Sequence, residues 1–581
     1  MNCRSVRLPA GWGRNRCSWV VCTGPYTTGR APPPSHAPVR AYLRPRPAAP
    51  LVRFRMPRHL RLARFLKSVS ALLAALSIAV AIGGPQQPAA AAEQPLRYYG
   101  GEVGSLDPAR IGDAGDVQLM LQLYAGLTRL DESGDPYPSL ASSWGTSPDG
   151  LTYTFRLRDG LRFSDGSTLD AGDVRRSWLR ILDPQVRATA PDVLNVIVGA
   201  ADRIAGRASE NAVGISAPDA RTLVVKLRHK ASYFPAIVAT PTTFVVPRHA
   251  RPAGIWQSAG SFIGSGPYVV SSASANEVVL RANAHYVAGS PPIAEVDWVT
   301  TLDGDVVTAF SQKQLDLTGI AGSDATWIAY DRDLGPSLHA AAALTVDYLG
   351  FDTTRPPFND ARVRRAFALA LDRQRLVELA DGPDAVPATS VVPPAIQPPG
   401  LPKGSSADVA TARSLLDQAG YRDRSTLGTV TINATGLDVS AIAAAWRSQL
   451  GVTINVESMA FDDYLARLDA GEVPEVFTIS WVADYPSPFA LYDLLLAPAA
   501  HSNYGRWNDP RFETLLEAAA AAGAAAEQSA AYASVEREVE AQAPIIPWSY
   551  GASYWLVRPG LRGLGGLTVG LLDFGLVSWD T

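Results

Sequence analysis

Near the carboxyl end of the chain, a tryptophan and an aspartate follow directly on a short apolar run. Residues 476–479 (Val-Phe-Thr-Ile) have the composition of a buried strand, and Trp481 and Asp484 come at its end. Pro486 and Pro488 then stop the strand and stiffen the turn. Because ligands of open α/β sheets bind at the carboxyl ends of strands, Asp484 is a candidate partner for a cationic ligand group. The alternative is that Asp484 caps the turn while Trp481 fills a core.

Several kinds of catalytic site are disfavoured by residues that the sequence lacks. Only five histidines follow residue 92, and no two of them have the spacing of zinc ligands on one helix. The sequence contains no Gly-x-Ser-x-Gly elbow and no Gly-x-x-x-x-Gly-Lys-Ser/Thr loop. All three cysteines lie before residue 93, so no thiolate nucleophile is available afterwards. We therefore predict a binding protein and not an enzyme, without a metal or other cofactor.

Charge is divided unevenly along the 581 residues. Residues 1–92 hold 14 Lys and Arg and no acid, whereas 38 basic and 55 acidic residues follow, a net charge of −17. A body this acidic does not favour contacts with nucleic-acid phosphates, so we predict no nucleic-acid partner. It is compatible with cationic ligands. The length allows about two to four domains.

The basic N-terminal part has the features of an export signal. We interpret residues 1–55, rich in Arg and Pro, as a disordered extension or as a misassigned start, with translation beginning at Met56. Residues 56–92 contain a basic start, an apolar stretch and small residues at the end, which predicts a signal peptide cleaved near Ala92. An uncleaved anchor is the alternative. No lipid-modified cysteine follows, and we expect the mature protein on the periplasmic or extracellular side of the cell envelope.

Periodic patterns predict alternating strands and helices along the mature chain. The predicted helices cover residues 117–127, 408–419, 439–450 and most of 511–543. The predicted strands include residues 96–99, 151–157, 429–433 and 452–456. We find no internal repeat of solenoid type.

Several sequence blocks resemble one known family. Residues 138–144 (Pro-Ser-Leu-Ala-Ser-Ser-Trp), 149–160, 163–166 (Phe-Ser-Asp-Gly) and 173–174 closely resemble the signature of the peptide/nickel-type solute-binding proteins of ABC importers. These are the extracytoplasmic oligopeptide- and dipeptide-binding proteins. Further blocks stand in the expected order at residues 264–268, 348–373, 481–488 and 543–547. The resemblance covers essentially the whole mature chain.

One of these blocks also predicts its own local structure. Asn359 or Asp360 can cap a helix whose apolar stripe includes Val363 and Phe367. The arginines of this segment, among them Arg364, are then expected on the solvated side.

The resemblance implies an α/β fold of the two-lobed, periplasmic-binding-protein-like type II. Two strands would cross between the lobes, and the first lobe would carry an extra subdomain. We expect lobe I in residues 93–127, 259–345 and 547–581, the extra subdomain in residues 128–258, and lobe II in residues 346–546.

The resemblance also implies a binding site. In oligopeptide-binding members, the aspartate of a Trp-x-Ala-Asp-Tyr motif pairs with the α-ammonium group of the ligand. The same motif stands at residues 481–485. It implies this role for Asp484 and ligand contacts for Trp481, Val482, Ala483 and Tyr485.

A second segment aligns with the residues that bracket the peptide backbone in that family. It follows Leu-Asp-Pro at residues 106–108 and comprises Gly112, Asp113 and Ala114. An ordinary loop is the alternative for these three residues. Ser487 stands where the family often has an acid, which leaves the fine ligand preference open, and no residue is assigned to the carboxylate end of the ligand.

The function implied by the resemblance is capture of short peptides between two closing lobes. The partners would be a peptide and an ABC permease complex in the membrane, and we expect a monomer. Two alternatives stay open: a non-peptide solute, such as a nickel chelate or a sugar, and a receptor that presents its ligand to a sensor.

Overall fold

The structure is a computed structural model, and it describes residues 94–580 apart from 113, 251–257, 381–385, 436, 499, 501, 568–569 and 571. The predicted extension, signal peptide and cleavage site lie outside these residues, as does Asp113. The described residues belong to one compact unit, Pro88–Thr581. Within them, no helix is both long enough and apolar enough to cross a membrane.

The described residues contain nineteen strands. In chain order they are β1 (Leu96–Tyr99), β2 (Thr128–Leu130), β3 (Pro136–Pro138), β4 (Ala141–Thr146), β5 (Thr152–Leu157), β6 (Ile215–Asp219), β7 (Thr222–Lys226), β8 (Tyr268–Ala273), β9 (Glu277–Ala282), β10 (Glu295–Val299), β11 (Leu317–Ile320), β12 (Leu338–Phe351), β13 (Val386–Pro387), β14 (Thr429–Ala434), β15 (Thr453–Ser458), β16 (Val476–Val482), β17 (Ile545–Val557), β18 (Leu561–Arg562) and β19 (Ser578–Trp579). The four strands named in the sequence analysis are all present, with ends shifted by at most two residues.

The helices lie between these strands. They are α1 (Ala114–Leu123), α2 (Ala171–Ile181), α3 (Ala200–Ile204), α4 (Phe234–Ile237), α5 (Val306–Ser311), α6 (Gly322–Ile328), α7 (Ala361–Leu369), α8 (Arg373–Ala380), α9 (Val409–Gln418), α10 (Ser440–Leu450), α11 (Phe461–Asp469), α12 (Pro488–Leu496), α13 (Pro510–Ala521) and α14 (Ala525–Gln542). Side-chain caps fix several starts. Asp170 and Asp173 form a capping box on α2, and Asp408 caps α9.

One mixed sheet of eleven strands runs through the molecule. Its order is β15-β14-β16-β12-β17-β11-β1-β10-β9-β8, with β13 paired to β17. The long strands β12 and β17 lie at its centre and pair antiparallel along most of their lengths. One half of the sheet lies on the β16 side of this pair and the other half on the β11 side. Two strands therefore cross between the halves, as predicted.

A separate four-stranded sheet, in the order β4-β5-β7-β6, forms the predicted extra subdomain. Its core is aromatic: Phe155 of β5 and Trp178 of α2 both pack on Phe234 of α4, with ring centroids 6.1 and 6.2 Å away. The half of the large sheet on the β16 side has its own core, in which Phe367 of α7 packs against Trp446 of α10 at 4.8 Å.

The expectation that the arginines of α7 face solvent is wrong for Arg364. Its side chain is only 3% exposed. Its guanidinium donates to the carbonyls of Phe358, Gln542 and Ala543. These last two carbonyls end α14 and lack partners within that helix, so a buried donor is needed there.

Candidate functional site

Strand β16 carries Trp481 and Val482 to the end of the sheet. The strand covers Val476–Val482 and so extends three residues beyond the predicted apolar run. Its pairing with β12 continues to the end, where Thr345 lies opposite Val482. Ala483 prolongs the ladder, since its N–H donates to the Leu344 carbonyl over 2.9 Å.

This ladder determines where the other backbone groups point. In an antiparallel pair, the N–H and C=O groups of alternate residues point to opposite edges of the strand. The bond from Ala483 to Leu344 turns Ala483 and Trp481 toward β12. Ser480 and Val482 therefore present their N–H and C=O groups to the other edge of β16.

That other edge is open along Ser480 and Val482. Strand β14 pairs only with the first two residues of β16, Val476 and Phe477. The hydroxyl of Tyr464 bonds both the N–H and the C=O of Thr478, at 3.0 and 2.9 Å. Beyond Thr478, no backbone partner for this edge exists among the residues that the structure describes. The result is a short unpaired strand edge that leads toward Asp484.

The turn after β16 orders the rest of the motif. Tyr485 and Ala483 are buried, whereas Val482 is 60% exposed. Ser487 caps α12, accepting from the N–H of Phe489 at 3.3 Å. The side chain of Asp484 makes no hydrogen bond or ion pair within the described part of the chain, so its carboxyl oxygens are available to a ligand.

Asp484 lies in the turn that follows β16. Protein atoms surround its carboxyl group on most sides, yet the side chain still reaches solvent. Burial raises the pKa of Asp484 to about 6, and the charge of Asp192 adds to the rise. Asp192 belongs to a single helical turn, Pro191–Leu194, that follows the extra subdomain's helix α2. A carboxylate in this position is stabilised by a cation that approaches it.

A second carboxyl group, Asp493, lies nearby on α12. Burial raises the pKa of Asp493 to about 6; Arg228 opposes the rise and Asp192 adds to it. Arg228 also donates to the carbonyl of Asn195 at 2.6 Å. Acidic groups thus outnumber basic ones around Asp484.

Aromatic rings join the extra subdomain to this region. The ring of Tyr233 stacks between Phe489, at 4.1 Å, and Tyr485, at 5.7 Å. The Tyr233 hydroxyl lies 3.2 Å from His229 Nε2. We call Tyr233, Tyr485 and Phe489 the aromatic stack. It holds the residue after Asp484 against the loop that follows β7.

Gly112 and Ala114 lie at the start of α1, and Ala114 is its first residue. The Gly112 N–H donates to Asp116 Oδ2 at 2.9 Å, and the Gly104 N–H donates to Asp116 Oδ1 at 3.0 Å. Both predicted residues are exposed. Within the described structure, no hydrogen bond joins Gly112 or Ala114 to residues 480–485.

The loop before α1 is nevertheless anchored next to Asp192. Asp107 forms a buried, two-point ion pair with Arg180 of α2. The Thr189 N–H donates to the Ala109 carbonyl at 2.9 Å. Sequence reasoning missed Asp192, Tyr233 and Asp493, because none of them stands in a recognisable motif.

No group of three or more His, Cys, Asp or Glu side chains in the described part of the chain has a geometry that could hold a metal ion.

Comparison with known proteins places this site in context. Residues 135–503 match the family described as "Bacterial extracellular solute-binding proteins, family 5 Middle". The "Probable deoxycholate-binding periplasmic protein YgiS" of Escherichia coli is 30% identical over 81% of this chain and 91% of its own length. The "Periplasmic oligopeptide-binding protein OppA" of Salmonella typhimurium is 27% identical over 86% of this chain and 94% of its own length.

Solved structures show the same fold. "MppA Periplasmic Murein Tripeptide Binding Protein, Unliganded Open Form" superposes with a TM-score of 0.73 at 25% identity, over 84% of this chain and 97% of its own. A complex of Haemophilus influenzae OppA with the peptide RPPGFSPFR superposes with a TM-score of 0.68 at 21% identity, over 84% of this chain and 99% of its own. These matches confirm the predicted two-lobed fold and the predicted resemblance. The chain belongs to family 5 of the bacterial extracellular solute-binding proteins, the periplasmic solute-binding components of ABC importers.

Proposed function

We propose that this protein binds short peptides with a free amino terminus and delivers them to an ABC permease. The observation that carries the proposal is the open edge of β16 along Ser480 and Val482. Just beyond this edge lies Asp484, whose carboxyl group has no cationic partner among the described residues. A peptide backbone would add a strand to this edge and place its ammonium group at Asp484.

Backbone pairing suits a protein that accepts many peptides. Main-chain hydrogen bonds supply affinity without reading side chains. The ammonium–carboxylate pair fixes the peptide's direction and register, since a charge-assisted bond is stronger than a neutral one. An antiparallel peptide would run from Asp484 back along Val482 and Ser480.

The other motif residues would shape the site. Trp481 and Val482 flank the added strand, and the buried residues Ala483 and Tyr485 hold the turn in place. Gly112, Asp113 and Ala114 would approach the peptide from the opposite lobe after closure. Relatives named as oligopeptide-binding support this assignment.

Closure would take place through the two crossing strands. The pairing of β12 with β17 shifts register between Ala342 and Val346 and again between Asp347 and Tyr348. Such irregularities weaken the ladder locally. We propose lobe II, residues 346–546, as the body that rotates there in a hinge motion. The exported protein would act as a monomer without a cofactor and without catalysis.

A relative named as deoxycholate-binding favours a second candidate, an amphipathic steroid. Deoxycholate is an anion, however, and the negative charge of Asp192 acts on the carboxyl groups of both Asp484 and Asp493. These negative charges oppose the binding of an anionic ligand. A cationic peptide terminus has the complementary charge.

Native mass spectrometry of protein purified without denaturation tests the proposal. We expect bound masses that fragment as mixtures of short peptides, and we expect the same preparation of Asp484→Asn to carry less of them. Asp297→Asn is the matched control, because Asp297 lies on β10 in the other half of the sheet. Recovery of a steroid, sugar or metal chelate in place of peptides would contradict the proposal.

A further inference from the structure

A polar stripe lies on one face of the sheet beside the open edge. Asp347 of β12 pairs across the ladders with Ser480 of β16 on one side and with Ser549 of β17 on the other. Directly opposite residues project from the same face. Thr345 and Val482 form the next pair on that face, and Val482 is 60% exposed. The face is therefore exposed at Val482 and holds a buried carboxyl group further in.

Asp347 has hydroxyl groups as its partners and no cation. Its side chain is 7% exposed. Ser549 Oγ donates to Asp347 Oδ2 at 2.7 Å, and Ser480 supplies a second hydroxyl. No Lys, Arg or His of the described chain bonds to it. Burial raises the pKa of Asp347, while the two hydroxyl groups lower it. A buried carboxylate in this state is strongly stabilised when a positive charge reaches it.

Ser480 is the only side chain in the ladder between Asp347 and the open edge. The two residues form a non-hydrogen-bonded pair, because Trp481 and not Ser480 bonds toward β12. Side chains of such pairs approach most closely. Ser480 is small and exposed. An added strand would lie two strand spacings, about 10 Å, from β12. The four-carbon stem of a lysine can cross a single serine and bring its ammonium group to Asp347.

The register of the added strand identifies the peptide residue concerned. The ammonium group precedes the first residue, so the first residue pairs with Val482 when the ammonium group contacts Asp484. In an antiparallel strand, the third residue then pairs with Ser480 and projects from the same face. The second residue projects from the opposite face.

We propose that Asp347 is a specificity-determining residue, which selects peptides with lysine or arginine at the third position. This inference rests on the proposed function of the site. It adds a second ionic contact to the one at Asp484, and it assigns the contact to a residue of the crossing strand β12. The lysine or arginine side chain would extend across Ser480 to reach Asp347.

Calorimetric titration with two pairs of tetrapeptides tests the proposal. Ala-Ala-Lys-Ala is compared with its norleucine counterpart Ala-Ala-Nle-Ala, which keeps the four-carbon stem and lacks the ammonium group. Ala-Lys-Ala-Ala and Ala-Nle-Ala-Ala form the control pair, with the change at the second residue. The wild-type protein should prefer lysine at least about tenfold at the third position and show no comparable preference at the second.

Three variants test whether the preference for lysine at the third position depends on Asp347. Asp347→Asn should reduce it to less than about threefold while leaving the affinity for Ala-Ala-Nle-Ala nearly unchanged. Ser480→Val, which keeps Asp347 and places a larger apolar side chain beside it, should likewise reduce the lysine preference to less than about threefold. Asp297→Asn, a substitution of another strand carboxylate of the same sheet, should keep the full preference.

The outcomes distinguish a failure of the role proposed for Asp347 from a failure of the proposed peptide-binding function. Equal affinity for lysine and norleucine at the third position of wild-type protein would overturn the role of Asp347, and so would a preference that survives in both Asp347→Asn and Ser480→Val. Failure of all four peptides to bind the wild-type protein would overturn the proposed function itself.

Discussion

The ring of Tyr233 lies nearly parallel to the ring of Phe489, with centroids 4.1 Å apart and planes inclined by 16°. Tyr233 follows the last strand of the four-stranded sheet, whereas Phe489 is in the first turn of α12. The segment that follows β7 thus packs against α12 at Phe489, five residues after Asp484 in the sequence. Close by, the Ser232 N–H donates to the Ala520 carbonyl at 3.2 Å, and Gln528 donates to the Ser232 hydroxyl at 2.9 Å.

The first prediction concerns this contact. Tyr233→Ala should lower the free energy of unfolding by about 3 kcal/mol, because a large buried ring is lost, and it should weaken peptide binding because Tyr485 loses its support. Tyr233→Phe should keep most of both, since it removes only the hydroxyl group near His229. Chemical denaturation and calorimetric titration measure the two effects. Wild-type stability and affinity in Tyr233→Ala would show that the stack contributes nothing.

The second prediction concerns the ammonium partner. Asp484→Asn should weaken binding of peptides with a free amino terminus by roughly ten- to a hundredfold, as expected for loss of a charge-assisted bond in a partly enclosed site. The affinity for the same peptides after N-acetylation, already weak, should change little. Titration of both peptide forms against both proteins gives the answer. An equal loss for the two forms would mean that Asp484 supports the turn and does not contact the ammonium group.

The third prediction concerns pH. The pKa of Asp484 in the unliganded protein is raised to about 6, and an ammonium group needs the ionised form. Peptide affinity should therefore be constant above about pH 7 and fall as the pH drops through 6, approaching tenfold per pH unit. Measurements from pH 8 to pH 5 should show this fall in wild-type protein and a much flatter profile in Asp484→Asn. A wild-type affinity that rises on acidification would contradict the assignment.

The fourth prediction concerns a buried acid behind the site. Glu536 of α14 accepts a hydrogen bond from the Tyr492 hydroxyl of α12, and burial raises the pKa of Glu536 to about 7. Between the unfolded-state and folded-state values the folded protein binds more protons, so this group makes the fold less stable as the pH rises from about 4.5 to 7. The difference amounts to on the order of 3 kcal/mol.

Glu536→Gln removes this titration and keeps an acceptor for Tyr492. Wild-type and variant stabilities should be similar near pH 5, and the variant should be the more stable protein at pH 8. Urea denaturation at the two pH values measures both. Parallel stability profiles at all pH values would show that Glu536 ionises no differently in the folded and unfolded states.

Local patterns predicted much of the fold, because caps and apolar stripes act within a few residues. Asp360, one of the two residues predicted as caps, caps α7, and the apolar stripe of that helix is buried as expected. Arg364 was assigned to the solvent because its pattern is local, whereas its partners at the end of α14 lie about 180 residues away in sequence. Long-range hydrogen-bond needs of this kind leave no local signal.

In the candidate site too, the residues of a local motif could be predicted and those contributed by distant segments could not. The motif at residues 481–485 was visible as a sequence block, and the structure adds that its strand has one open edge. Asp192 and Tyr233 come from a separate sheet and its connections, so only the tertiary fold reveals that they lie near Asp484. Asp347 was equally invisible, since its position beside Ser480 depends on the register of β12 against β16.

The central claim is that a peptide backbone pairs with the open edge of β16, and amide hydrogen exchange at Ser480 and Val482 tests it most directly. Among the described residues neither N–H group has a backbone partner, so both should exchange rapidly in the protein without peptide. Saturation with a tetrapeptide should slow their exchange by at least about a hundredfold, because each N–H group then donates to a peptide carbonyl. The amide of Trp481, which already bonds toward β12, should change far less. Unaltered exchange at Ser480 and Val482 in the peptide-saturated protein would contradict the account.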